Sequence, residues 1–92
     1  MTIYPAMKTG ARRALLCLNP AEALPVAAVQ TAVSTVFGEH DRRTAFHLSH
    51  LTFIGLVDQR PLPGERVGYV LTELGVGAFN QIDRTNGRKS SR

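Results

Sequence analysis

Residues 48–77 read LSHLTFIGLVDQRPLPGERVGYVLTELGVG, and the order of signals in this run decides the fold. Apolar residues at helical spacing stop at Gly55, two extended runs (56–62 and 66–71) flank Pro63-Gly64-Glu65, and Thr72 then opens a new helix. Gly55 suits the left-handed conformation that turns a chain out of a helix, because glycine has no Cβ to clash there. Pro61 and Pro63 lie near the tip of the extended pair, where a missing N–H removes no ladder bond. The run therefore predicts a helix that passes directly into a β-hairpin and then into another helix.

Toward the N-terminus the pattern is helical twice more. Met7, Ala11, Ala14, Leu15 and Leu18 recur at helical spacing and leave Lys8, Arg12 and Arg13 outside, which predicts a first helix over 6–18. Gly10 weakens that helix by about 1 kcal/mol relative to alanine. Asn19-Pro20 ends it, since the residue before proline is biased away from the helical region. Residues 21–24 form a connector with room for a very short strand. Pro25 suits the first turn of a second helix over 25–36, whose stripe is Val26, Val29, Val33 and Val36 with Phe37 beside them, and Gly38 terminates it. Asp41 is the expected cap of a third helix, about 41–54, with Ala45, Leu48, Leu51, Thr52 and Phe53/Ile54 inward. Thr72 caps a fourth helix, about 73–84, with Leu74, Ala78, Phe79 and Ile82 on its apolar side; Gly75 and Gly77 make it intrinsically poor, so packing must hold it.

Composition narrows the class without naming a function. Ninety-two residues correspond to one domain, and 43% hydrophobic with 20% charged residues is an ordinary globular balance. The expected organisation is a flexible 1–5, a folded domain over 6–84 and a basic disordered tail over 85–92. The uncharged stretch from Ala23 to Gly38 carries Gln30, Thr31, Ser34 and Thr35 and has a proline near its start, which favours a core-packed helix over a membrane span. No basic region, apolar run and cleavage site open the chain, so a cytoplasmic location is expected. Cys17 is the one cysteine, which excludes a disulfide or a cysteine zinc cage within one chain; it reads as a small buried hydrophobe. The net charge of +4 favours polyanionic partners. Lys8, Arg12 and Arg13 cluster near the start, Arg88, Lys89 and Arg92 near the end, and Arg42-Arg43 is the internal basic pair.

HLSHLTFIGLV (His47 to Val57) fits the pattern HLxxLxxxGLV, and YVLTELG (Tyr69 to Gly75) fits YxLTxxG. In that order, with a gap holding Gly64-Glu65-Arg66, they resemble the end of the recognition helix and the second wing strand of bacterial winged helix-turn-helix regulators of the MarR, ArsR and PadR type. The likeness spans about residues 41–79. It departs from the families at Phe37 to His40, which lacks their small-residue turn, and at Thr44, where an apolar residue is usual. The chain is also shorter than MarR members, without room for their long paired terminal helices. The resemblance implies a mainly α fold with a β-hairpin wing: a three-helix core, a two-stranded wing and a C-terminal helix.

It further implies a sequence-specific, repressor-like transcriptional regulator of double-stranded DNA, with the recognition helix in the major groove and the wing, about 60–66, near the backbone or minor groove. Leu48 and Leu51 inward leave Arg42, Arg43, Phe46, His47 and His50 outward. Arginine can present two parallel donors to guanine O6 and N7, so Arg43 and His47 are expected at bases and Arg42 at phosphate. Arg60 and Arg66 flank the wing turn, within reach of a neighbouring phosphate, although Glu65 at the tip opposes that role. A homodimer is expected, with Leu15, Phe79 and Ile82 at its interface. His47 and His50 supply at most two metal ligands, too few for a zinc site, so neither metal nor cofactor is expected. No nucleophile elbow, phosphate loop or paired acidic residues suggest catalysis. The alternative is a winged-helix module that docks on another protein, a role that exposed Phe46 would favour.

Overall fold

The computed structural model describes residues 7–38 and 41–86, with backbone alone for 83–86. Four helices and three short strands follow in the order α1 (Thr9–Leu16), β1 (Leu24–Pro25), α2 (Val26–Phe37), α3 (Thr44–Phe53), β2 (Val57–Leu62), β3 (Arg66–Leu71) and α4 (Glu73–Asn86). The strands form one antiparallel sheet in the order β1-β3-β2. Residues 1–5, expected to be flexible, and the expected tail from residue 87 onward lie outside the described residues.

α1 is shorter than its periodicity suggests. Lys8 is extended, so Met7 lies ahead of the helix, and the last turn tightens as the Cys17 and Leu18 N–H groups donate to Ala14 and Leu15 carbonyls. Asn19 Oδ1 then accepts from the N–H groups of Ala21 and Glu22, at 2.9 and 2.6 Å, which satisfies the donors of the turn that follows. The Asn19 carbonyl also accepts from the Leu71 N–H and ties this turn to β3.

Pro25 belongs to β1, opposite Gly68, and is the extended residue before α2 rather than part of its first turn. Its fixed φ serves either position, and an edge strand loses nothing by its missing N–H. The buried stripe of α2 passes through Val29 and Val33 and continues to half-buried Phe37, leaving Val36 exposed. A stripe that steps by four, as this one does from 29 through 33 to 37, follows the helical period of 3.6 residues. Gly38, at φ 75°, takes the left-handed conformation and ends the helix.

The hairpin has the expected ends. Leu62 pairs with Arg66 across Pro63-Gly64-Glu65, and Val57 with Leu71 at its base. Its base is buried, whereas residues 58–67 are exposed on both faces apart from half-buried Leu62, so the tip stands clear of the body. Thr72 caps α4: its Oγ1 accepts from the Gly75 N–H at 3.0 Å and donates to the Gly55 carbonyl at 2.7 Å. α4 runs past residue 84 to Asn86, and Leu74, expected on its inner side, is exposed; Gly75 and Ala78 are buried instead, with Val76, Phe79 and Ile82 half-buried around them.

One core joins these elements: Ala11, Ala14 and Leu15 from α1, Val29 and Val33 from α2, Leu48 and Leu51 from α3, then Leu56, Val57, Tyr69, Leu71 and Ala78. Leu15 has no exposed surface, which removes it from the expected dimer interface: a side chain packed inside one subunit has nothing to offer another.

Candidate nucleic-acid interface

The third helix begins at Thr44, not at Asp41, and its inner face is rotated from the expected one. Thr44, His47, Leu48 and Leu51 are buried against α1 and α2, while Ala45 and Phe53, expected inward, are exposed; Phe53 is 88% exposed. The spacing 44, 47, 48, 51 is itself a regular helical stripe. Two of its members are polar, which hides it from a reading that looks for apolar side chains alone. Both are satisfied locally, and among the described residues no buried side-chain nitrogen or oxygen lacks a partner.

Asp41 accounts for much of that satisfaction. Its Oδ1 accepts from the Arg43 N–H at 2.8 Å, a turn closed by a side chain just ahead of the helix. Its main-chain carbonyl accepts from Thr44 Oγ1 at 2.8 Å and from Gln30 Nε2 of α2 at 3.2 Å. Its Oδ2 lies 3.4 Å from His47 Nε2. Asp41 thus organises the turn and anchors it to α2, rather than capping the first free N–H groups of α3 itself.

His47 departs most from expectation. It is 7% exposed and faces inward, with its ring against Gly10 of α1, so it cannot contact a base directly. A Cβ at Gly10 would collide with that ring. Gly10 therefore marks a close approach of α1 and α3 rather than only a weak point in α1. His50 faces out, so the two histidines lie on different sides of the helix, and among the described residues no group of three His, Cys, Asp or Glu side chains gathers to hold a metal.

The outer face carries Arg42, Arg43, Phe46 and His50, all exposed, with Ala45, Ser49 and Phe53. The Arg43 guanidinium carbon sits 5.2 Å from the centre of the Phe46 ring, within cation–π range. That ring meets His47 edge-on, with centroids 5.8 Å apart and planes at 66°. No acidic residue occupies the first turn of α3 itself, so both arginines sit at the positive end of the helix dipole, with the Asp41 carboxylate just ahead as the one negative group described there.

In the wing, Arg60 and Arg66 are exposed and border a shallow depression of about 400 Å³ with Gln59 and Val67. Each has a local tether: Arg60 Nε lies 3.4 Å from Asp58 Oδ2, and Arg66 Nε donates to the Pro63 carbonyl at 3.2 Å. Both contacts are solvent-exposed and weak enough to exchange for a phosphate. Glu65 is exposed at the tip with φ 60°, one of the left-handed positions of the turn. Cys17 is half-buried, and desolvation raises its thiol above the ordinary value.

Helices α2 and α3, joined by the Asp41 turn, with α1 behind them and a protruding hairpin after α3, match the solved structure of RosR from H. salinarum with a TM-score of 0.71. The fold is a winged helix-turn-helix. The alignment covers 89% of this chain and 80% of RosR at 21% identity, a likeness of fold. No family model matches the sequence, and no curated protein matches it either. Among the described residues, no helix of this winged-helix chain is long and apolar enough to cross a membrane.

Proposed function

We propose that this chain is a sequence-specific transcriptional regulator of double-stranded DNA, a repressor-like homodimer that lays α3 in the major groove and the wing along the backbone or minor groove. The observation that carries the reading is the pair of exposed arginines immediately ahead of α3, with Arg43 at its N-cap, on a helix whose inner face is packed into the core. A recognition helix meets base edges with its N-terminal residues, and arginine matches the two acceptors of guanine. Arg43 takes the base contact, Arg42 a phosphate, and His50 lies about two turns beyond Arg43 on the same exposed face. Arg60 and Arg66 supply backbone contacts from the wing. A homodimer on a two-fold-related site would place its half-sites about 34 Å, or a multiple of that, apart. Phe79 and Ile82, half-buried on α4, are the remaining interface residues of this reading.

The exposed aromatic surface of α3 favours a second reading. Phe46 is 56% exposed and Phe53 more so, and aromatic side chains are enriched where one protein docks on another. On this reading the same helix face docks on a protein partner within a replication, partition or transcription complex.

Selection of duplexes from fragmented genomic DNA with the purified protein separates the two. The DNA reading expects recovered fragments that share a two-fold-related motif and are released as salt rises. Recovery of no duplex above background at low salt would transfer the function to the second reading.

A further inference from the structure

On the outer face of α3, Phe46 has an environment that solvent exposure alone does not explain. Its ring packs under the Arg43 guanidinium at 5.2 Å and edge-on against His47 at 5.8 Å. His47 is itself held between Gly10 and the Asp41 carboxylate, and the same carboxylate accepts the Arg43 N–H. Arginine and ring are thus tied to one anchor in the free protein, and a contact made by a pre-ordered side chain loses less entropy on binding.

We propose that Phe46 is a specificity-determining residue: with Arg43 it forms a composite reader of a guanine next to a thymine, the guanidinium bonding guanine O6 and N7 while the ring packs on the thymine methyl. This rests on the DNA-binding reading above. Thymine is the one base that presents an apolar group in the major groove, so an exposed ring on a recognition helix has a single complementary base edge. Arg43 and Phe46 are one turn apart, a rise of about 4.5 Å along the helix, close to the roughly 3.4 Å between stacked bases. Adjacent base pairs are therefore the natural targets of the two side chains. Phe53, a further two turns on, lies about 10 Å from Phe46 along the helix, beyond the reach of that pair of base steps.

The test uses the duplex recovered by genomic selection, in which each thymine is replaced in turn by deoxyuridine, so that a methyl group alone is removed. Wild-type protein and Phe46→Ala are compared by anisotropy titration, with thermal unfolding to check that the exposed substitution leaves the fold intact. The expected result is a motif holding a guanine beside a thymine, a loss of about fourfold in wild-type affinity when that one methyl is removed, and no loss at that position for Phe46→Ala. Methyl removal that affects neither protein, or both equally, overturns the proposal while leaving DNA binding in place. If no duplex is recovered, the functional reading fails first and this inference with it, an outcome distinct from the other two.

Discussion

Arg42 and Arg43 are adjacent in sequence and both exposed, yet only Arg43 is held against a ring and has its N–H fastened to Asp41. The pair is therefore asymmetric. Arg43→Ala is expected to weaken binding to the selected duplex by about 1–3 kcal/mol and to relax preference at one base pair, read by titration against point-substituted duplexes. An equal loss on every sequence would show Arg43 to be a phosphate contact. Cys17 allows a prediction of a different kind. Burial raises its pKa, so at any pH below that value the folded protein holds less thiolate than a free thiol would. Alkylation at about pH 8 should be slower in the folded chain than in denaturant, and should keep accelerating with pH after the denatured reaction has levelled off. Equal rates in both states would mean an accessible, unperturbed thiol. Of the single residues, Arg42, Arg43, Phe46 and His50 could be placed outward from the apolar periodicity. His47 could not, because a histidine is compatible with either face until a partner such as Asp41 is brought beneath it.

Elements meet in this domain through glycines that look like defects in the chain. Gly10 and Gly75 each weaken a helix by about 1 kcal/mol relative to alanine. In the fold, a Cβ at Gly75 would run into the Leu56 main-chain carbonyl, and one at Gly10 into the His47 ring. Alanine at either position should therefore lower stability despite its better propensity, by about 1–3 kcal/mol, the usual cost of overpacking. Gly75→Ala should be the worse, since a backbone carbonyl cannot swing aside as a ring can. Denaturant titration of both variants checks this, and a rise in midpoint for either would mean that the close approach is relieved at little cost. Helix ends were legible where backbone chemistry sets them, as at Gly38, Gly55 and Thr72. The start of α3 was not, because Asp41 serves the preceding turn, and that role depends on Gln30 of another helix.

For the molecule as a whole, the balance of +4 is distributed over the surface of α3, the wing and both chain ends. Residues 87–92 contribute Arg88, Lys89 and Arg92. Their removal should weaken binding to all duplexes alike, with the base preference unchanged. It should also flatten the dependence of log affinity on log salt by about 0.9 for each phosphate that the shortened chain no longer neutralises. An unchanged slope would leave the tail without a part in binding. The three-stranded sheet matters at this scale too. Strand β1 pairs with β3 at Leu24–Tyr69 and Pro25–Gly68, so the hairpin's inner strand is bonded on both sides and only its tip remains free. That arrangement holds the wing at its base and leaves Arg60 and Arg66 exposed near its end.

The linear order of helix, hairpin and helix, the turn residues that separate them and the arginines ahead of α3 were determined by the sequence itself, because those signals act between neighbours along the chain. That Thr44 and His47 rather than Ala45 and Phe53 complete the inner face of α3, that Leu15 is wholly enclosed rather than offered to a partner, and that two glycines are contact points were decided only by the tertiary structure. Each depends on a group from a distant part of the chain, and local periodicity carries no record of what that group will be.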